Sequence, residues 1–365
     1  MKTQAAVALA PHEEFVIREV ELGDPRPDEL MIDVVATGLC HTDIIIRDQW
    51  FPTPLPAVLG HEGVGVVREV GAGVSKVRPG DLVVASYNYC GACRNCSRGS
   101  TMYCDAFWTH NFSGARADAT SPVSMDGVPI SANFFGQSTF ARQAVVRERN
   151  VVPLGHPVDP AIAGPLGCGI QTGAGAVLNV IRPAAGSSIV VYGSGAVGLA
   201  AIMAARVAGC TTIIAVDLVP DRLALAEELG ATHVIDGSSA TVAKQVRKLT
   251  GGGVDYAVEA TGSPKVLRTA MDALAQGGTC ALVGAAASRT EASIDISTLL
   301  FGRKLVGVIE GESSPADFIP RLLELHLQGR FPFDRLITKY PFEEINRAVA
   351  ASLDGTAIKP VLVMQ

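Results

Sequence analysis

The chain has 365 residues, 48% hydrophobic and 18% charged, which is enough for two domains with sizeable buried cores. Its 30 Lys and Arg against 36 Asp and Glu give a net charge of −6 and a pI near 5.7. That balance argues against the basic face that nucleic acid or an anionic membrane surface requires, so small molecules are the expected partners.

At the N-terminus, a short apolar stretch after Lys2 is interrupted by Glu13 and Glu14, and no secretion signal is read there. The most apolar tract, Ile189 to Val219, is broken by Gly193, Gly195, Gly198, Arg206 and Gly209 into pieces too short to span a bilayer. A cytoplasmic location is expected. In a reducing cytosol, the eight cysteines point to metal binding or buried thiols rather than disulfides.

Up to about residue 165 the chain shows short strand-like runs, Leu30 to Val35, Gly63 to Val70 and Asp81 to Ala85, between turn signals. They predict a β-rich domain. Cys40-His41-Thr42-Asp43 follows the first run, Gly60-His61-Glu62 opens the second, and Gly167-Cys168-Gly169 lies near the domain's end. Cys40, His61 and Cys168 form a Cys2His set, which leaves a fourth position on a zinc ion for water or substrate. Core packing is the competing reading for such residues, and it is the reading adopted for Cys210 and Cys280.

The run Cys90-x2-Cys93-x2-Cys96-x7-Cys104 puts four thiolates within reach of one tetrahedral zinc ion, at about 2.3 Å from each sulfur. Disulfides or an iron-sulfur cluster compete, although the usual bacterial cluster run ends C-x3-C-P and this one ends C-x7-C-Asp. The thirty residues from Asp105 to Phe134 read as a long loop, and such loops tend to be functional.

From Gly186 to about Gly284 the pattern alternates. Strands are predicted at Ser188 to Tyr192, Thr212 to Val216, Val254 to Glu259 and Thr279 to Val283. Helices are predicted at Ala196 to Ala208, Asp221 to Leu229 and Ser263 to Ala275. The fold class is α/β, with a doubly wound parallel sheet. Gly193-Ser194-Gly195-Ala196-Val197-Gly198 sits between the first strand and its helix, as the G-x-G-x-x-G dinucleotide fingerprint requires. The next strand ends at Asp217, where a carboxylate accepts a ribose 2′-hydroxyl and repels a 2′-phosphate, which favours NAD over NADP. Asp217 as a helix cap is the competing reading, but Asp221 is the better cap for Arg222 to Leu229. Arg222 is near enough to brace the ribose or a phosphate. Later, Lys304 to Ile309 reads as strand, Ala316 to Gln328 as helix, and Ala357 to Met364 as a strand that rejoins the first domain.

The stretch Gly60-His61-Glu62-x2-Gly65-x5-Gly71-x2-Val74, continuing to Pro79-Gly80-Asp81-Leu82-Val83, resembles the signature of the zinc-containing alcohol dehydrogenases of the medium-chain dehydrogenase/reductase family. The runs Gly329-Arg330-Phe331-Pro332-Phe333-Asp334 and Ile358-Lys359-Pro360-Val361-Leu362 are similar to its aryl-alcohol (benzyl-alcohol) branch. The resemblance covers nearly the whole chain. It implies a GroES-like catalytic domain over 1–169, an NAD-binding Rossmann domain over 170–309, and a C-terminal segment, 310–365, returning to the first. It also implies two zinc ions per chain, one structural on Cys90, Cys93, Cys96 and Cys104, and one catalytic on Cys40, His61 and Cys168.

In that family's scheme, zinc acts as a Lewis acid on an alcohol oxygen and hydride passes to the nicotinamide. By position, Thr42 takes the alcohol proton, Asp43 orients the histidine and Glu62 tunes the metal. The resemblance assigns cofactor contacts to His41, Thr172, Gly193, Gly195, Val197, Gly198, Asp217, Arg222, Thr261, Val283 and Lys359. It assigns the substrate pocket to Trp50, Phe51, Tyr103, Phe134 and Phe135, with Phe107 and Trp108 nearby. Rings around a zinc ion favour flat apolar alcohols of the benzyl type, and allylic terpene or cinnamyl alcohols fit the same slot. A dehydrogenase for a formaldehyde-thiol adduct would need a basic loop, which is not evident. A non-catalytic NAD-binding protein would have lost one of the three open-site ligands. One departure stands out: where well-known liver relatives end their proton relay in histidine, this chain has Ile45, so the proton is expected to leave through water or His41. A homodimer or homotetramer is implied, pairing through strands around Leu299 to Ile309.

Overall fold

A computed structural model describes residues 1–155 and 158–364. The chain divides into two compact units. The first comprises Met1–Cys168, Ser314–Arg321 and Asp334–Gln365, and the second comprises Gly169–Ser313 and Leu322–Phe333. Of the segment expected to rejoin the first domain, 310–365, only Ser314–Arg321 and Asp334–Gln365 group with the first unit, while 310–313 and Leu322–Phe333 group with the second.

The first unit is built on two largely antiparallel sheets. In the larger, Glu29–Gly38 pairs with Glu62–Val70 on one edge and with Lys359–Val363 on the other, so the chain's last strand lies beside one of its first. Leu30, Ile32 and Val34, on one face of the first strand, enter one core cluster with Val67 of the second and with Val83 and Val146. Gly38 faces Glu62 across one ladder and Val361 across the other. A β-carbon at Gly38 would collide with the Glu62 carboxylate, so glycine is what lets that side chain lie over the strand.

The stretch from Asp105 to Phe134, read from sequence as a loop, carries more structure than expected. It contains a short helix, Phe107–Asn111, and a hairpin of Val123–Met125 with Val128–Pro129. Arg116 anchors it through a bidentate buried ion pair, with both contacts to Glu29 at 2.7 Å. Short apolar spans between polar turns gave no clear period, which is why they read as loop.

In the second unit six parallel strands line up as His233–Asp236, Thr212–Asp217, Ser188–Tyr192, Val254–Glu259, Leu274–Leu282 and Lys304–Gly307. Numbered within the unit, the order is 3-2-1-4-5-6, that of the doubly wound dinucleotide-binding sheet, which reverses direction between its first and fourth strands. Val190, Tyr192, Ile214 and Val216 on one face pack under Val242 and Val246 of the helix Val242–Leu249 and Met271 of the helix Pro264–Ala273. Strand His233–Asp236 and helix Val242–Leu249 were not expected from the sequence: the strand has only four residues, and the helix's one apolar stripe, Val242 and Val246 four residues apart on a polar surface, was the available signal.

Candidate functional site

In the first unit, the helix His41–Arg47 starts where Glu29–Gly38 ends, with Cys40 as its N-cap residue. Asp43, in the first turn, turns back on that start and is fully buried. Its Oδ2 accepts the Cys40 N–H at 2.9 Å, and its Oδ1 accepts the Gly60 N–H at 3.0 Å and lies 2.9 Å from Nδ1 of His61. Held this way, His61 donates from Nδ1, which leaves Nε2 as the ring nitrogen that can bind a metal once its proton is displaced. That Nε2 is buried with no hydrogen-bond partner. Cys168, after the turn Gly164–Gly167, closes the group: ligand atoms of Cys40, His61, Glu62 and Cys168 all lie within 4.8 Å of one another. Two thiols and an orphaned imidazole nitrogen form the donor set of a zinc site with an open position, and these residues fit that ion.

The electrostatics agree. A hydrogen bond with Cys168 holds the Cys40 thiol well below its ordinary range; burial opposes this, and Lys359 and His61 add to it. Burial works against a charged His61, but Asp43 and Cys40 outweigh it and favour the cation. This donor set favours positive charge at its centre. Thr42 Oγ1 sits 3.7 Å from the Cys40 sulfur, beside the cage.

Lys359 is not at a phosphate site. It is 3% exposed, and its Nζ lies 2.8 and 3.0 Å from the two carboxylate oxygens of Glu62. The expectation that it reaches a cofactor pyrophosphate is thereby corrected, because the register that puts Lys359–Val363 beside Glu29–Gly38 turns this lysine inward onto Glu62. His41 stays exposed, edge-on to Trp50 with ring centroids 6.3 Å apart.

Aromatic rings wall the cage. His61 stacks on Phe135 at 4.5 Å and meets Phe134 edge-on at 5.3 Å. Phe112, which the sequence reading overlooked, touches the rings of Phe51, Phe107, Trp108, Phe134 and Phe135 and is the hub of the group. Its place at the C-terminus of Phe107–Asn111, one turn from Trp108, was the available signal. Tyr103 and Trp50, also expected in the pocket, are 39% and 44% exposed; Tyr103 ends the turn Thr101–Tyr103 of the cysteine lobe, and Trp50 follows the end of its helix.

The four quartet sulfurs also lie within 4.8 Å of one another, and the Cys90 and Cys96 sulfurs are 3.8 Å apart. A tetrahedron with metal-sulfur bonds of about 2.3 Å has edges of about 3.8 Å. Backbone N–H groups of Ala92 and Cys93 donate to the Cys90 sulfur at 3.4 and 3.2 Å, and the Cys90 N–H donates to Cys104 at 3.3 Å. The Ala92 N–H in particular brings the Cys90 thiol down to about 6, while burial pushes Cys96 up to about 12. These residues fit a saturated structural zinc. No disulfide is present among the described residues.

In the second unit, a cavity of about 990 Å³ opens at the carboxyl ends of the strands. Gly193, Gly195, Asp217, Arg222 and Thr261 line it; Thr172, Val197, Gly198 and Val283 lie outside its lining. Gly193 has φ +91°, and a β-carbon at Gly198 would strike the Gly193 carbonyl, so both close approaches need glycine. Asp217 accepts the Ser194 N–H at 2.5 Å and the Val219 N–H at 2.9 Å, which ties the glycine turn to the next strand's end. Asp221 lies within the first turn of Pro220–Leu229 and makes no cap, contrary to expectation, because the helix begins one residue earlier at Pro220.

Residues 26–156 match the model of the alcohol dehydrogenase GroES-like domain and 196–327 that of zinc-binding dehydrogenases. The chain is 42% identical to geraniol dehydrogenase of Castellaniella defragrans, over 100% of this chain and 98% of that one. Among solved structures it resembles a zinc-binding-domain alcohol dehydrogenase of Burkholderia ambifaria (51% identity, TM-score 0.98, covering 100% and 99% of the two chains). It also resembles benzyl alcohol dehydrogenase of Acinetobacter calcoaceticus (45% identity, TM-score 0.97, covering 100% of each).

Proposed function

The chain belongs to the zinc-type alcohol dehydrogenase family, whose members use zinc and a nicotinamide dinucleotide, and on that premise we propose that it reversibly oxidises a primary aromatic alcohol of the benzyl type to the aldehyde, with NAD. The observation that carries this reading is the ring group against His61: Phe134 and Phe135 touch the imidazole, with Phe112 behind them. Likeness to benzyl alcohol dehydrogenase supports it. Likeness to geraniol dehydrogenase keeps an allylic terpene alcohol as the second reading.

When bound, zinc supplies a Lewis acid for the substrate hydroxyl and the nicotinamide supplies the hydride acceptor. Cys40, His61 and Cys168 hold the ion, and Asp43 fixes the histidine tautomer that makes Nε2 a ligand. Thr42 Oγ1 would take the hydroxyl proton while passing its own on to the cofactor ribose, and from there the proton would leave through water or through His41, exposed at the start of the same helix, since Ile45 is buried and apolar. The aromatic rings exclude water and select flat apolar substrates. Glu62, neutralised by Lys359, tunes the field beside the ligands without adding a full negative charge. In the second unit, the glycine turn cradles pyrophosphate, and Asp217 favours NAD over NADP.

Two copies pair along the outer edge of the sheet at Lys304–Gly307, where Ile296, Leu300 and Phe301 are 77%, 87% and 60% exposed. Eight cysteines without a disulfide suit the cytoplasm. Among the described residues no single helix is long and apolar enough to cross a membrane.

The test is NAD reduction across benzyl alcohol, cinnamyl alcohol, geraniol and ethanol, with zinc counted on the same preparation. Benzyl alcohol should have the highest kcat/KM, with near two zinc ions per chain. Highest activity on geraniol would establish the second reading, and strong ethanol activity would defeat both.

A further inference from the structure

In the first unit, the strand Leu82–Ala85 runs antiparallel to Glu62–Val70, with Val64 opposite Val84. Carried two residues further, that register would set Glu62 opposite Ser86, but the strand ends first and a side-chain amide bridges the two segments instead. Gln137 is 1% exposed. Its Oε1 accepts the Gly63 N–H at 3.1 Å, and its Nε2 donates to the carbonyls of His61 and Ser86 at 2.9 and 3.1 Å. Both donors are used and the oxygen is engaged, so the partners fix which way the amide points.

The amide thus grips the backbone on both sides of Glu62, immediately after His61. Ser86 carries the connection on, because its Oγ donates to the carbonyl of Gly167 at 2.6 Å, next to Cys168. Gln137 also ends the turn Phe134–Gly136, whose two rings lie against the His61 imidazole. In and beside that turn Phe135 and Ser138 have φ +51° and +52°, and Gly136 has +65°. Non-glycine residues hold such shapes only where their surroundings over-determine them. Asn150 supplies part of that hold: its Nδ2 donates to the Phe135 carbonyl at 2.9 Å, and its own carbonyl accepts the Ser86 N–H at 2.8 Å. The hydrogen bonds therefore run from the aromatic turn to both ligand segments and back.

We infer that Gln137 is the positioning residue that registers the Phe134–Phe135 wall to the ligands His61 and Cys168, so that metal geometry and ring placement depend on one amide. This rests on the reading of Cys40, His61 and Cys168 as the zinc-holding set and of the rings as the substrate wall. Methionine has nearly the length and bulk of glutamine but can make none of the three hydrogen bonds, so Gln137→Met isolates the brace from the packing.

The experiment uses the whole enzyme after mild chelation has emptied the Cys40, His61 and Cys168 set and cobalt(II) has been added back, with the quartet zinc retained. Cobalt held by two thiolates and an imidazole absorbs visible light at wavelengths that follow ligand type and geometry. Q137M should bind cobalt about 10- to 100-fold more weakly than wild type, with shifted bands. Its benzyl alcohol to ethanol ratio of kcat/KM should narrow at least about 2-fold, since the rings lose the same anchor. Gln137→Glu retains the acceptor for Gly63 and, protonated, one donor, and should fall between Q137M and wild type. Val146→Ala, a packing loss in the core of the same unit, should melt lower than wild type with unchanged bands and ratio. Unchanged bands and cobalt affinity in Q137M, or an unchanged ratio, overturns the inference. So does a V146A that matches Q137M in both, which would make the changes a mark of general loosening. If Q137M does not fold, Q137E decides on the same readouts, and failure of both to fold assigns the amide to the fold alone. If wild type takes up no cobalt after chelation, the zinc reading fails first, and the inference falls with it.

Discussion

Asp43 and His61 are bound through a single carboxylate oxygen that also accepts the Gly60 N–H, while the other oxygen accepts the Cys40 N–H. One side chain thus orients a ligand histidine and fixes the backbone at a ligand cysteine. Asp43→Asn retains one acceptor but presents an NH2 group to a backbone or ring N–H. It should lower activity or catalytic-site zinc affinity about 10- to 100-fold. Zinc per chain should fall from near two towards one on mild chelation, with the quartet ion retained. A D43N enzyme with wild-type kcat/KM and zinc content would defeat the assignment.

The quartet serves the lobe rather than the chemistry, since four sulfurs saturate an ion. Arg149 Nη1 bonds the carbonyls of Tyr89 and Cys90 at 2.8 and 2.5 Å and fastens the lobe to the following turn. Cys96→Ser should therefore remove one zinc per chain and lower the melting temperature, leaving the ion on Cys40, His61 and Cys168. Metal analysis and a thermal melt on the same sample check this. Loss of both ions without unfolding would mean that the two sites are not independent.

Lys359 and Glu62 are 297 residues apart in sequence and paired in the interior. Lys359→Met leaves a buried carboxylate uncompensated and should cost about 3–5 kcal/mol in chemical denaturation. Burial already pushes the Glu62 carboxyl up, and Lys359 counters it. Adding Glu62→Gln should restore much of the loss, as replacing both members of a buried pair often does. If the double variant is no more stable than K359M, the pair is not what holds this strand edge.

That pair marks the boundary of what the sequence discloses. Short-range spacing carries the quartet, the glycine turn and the Cys40 to His61 relation, because each depends on residues close along the chain or on a motif with few uses. A lysine near the C-terminus has no local sign of burial; only the register of Lys359–Val363 against Glu29–Gly38 turns it inward. Phe112 and the Arg116 anchor were missed for the same reason. Their partners, Phe134 and Glu29, are brought near by the path of a segment whose short elements have no period to read.

Phe135 stacks on His61 at 4.5 Å and has φ +51°, so a ring is held against the ligand by a backbone shape that few residues adopt. Phe135→Leu retains bulk but loses the aromatic face. A ring pair contributes about 0.5–1.5 kcal/mol beyond burial, so the preference for benzyl alcohol over ethanol, as a kcat/KM ratio, should fall about 2- to 12-fold. An unchanged ratio would remove this ring from substrate selection.

Asp217 faces a cavity with more positive than negative side chains: Arg222, Lys244 and Arg247 line it, against Asp217 and Asp272. Asp272 is engaged by Arg268 at 2.9 Å, which leaves Asp217 as the carboxylate opposing a 2′-phosphate. Asp217→Ser removes that charge, and three cations then face one acid. The NAD-to-NADP ratio of kcat/KM should fall at least tenfold, through weaker NAD binding and stronger NADP binding together. The same change deprives Ser194 and Val219 of their acceptor. Hydrogen bonds to a charged group contribute about 1.5–3 kcal/mol each, so the melting temperature should also drop. The two effects separate cleanly: a lower melting temperature with an unchanged cofactor ratio would make Asp217 a brace for the glycine turn and nothing more, whereas a changed ratio in a well-folded variant makes it the selector of NAD.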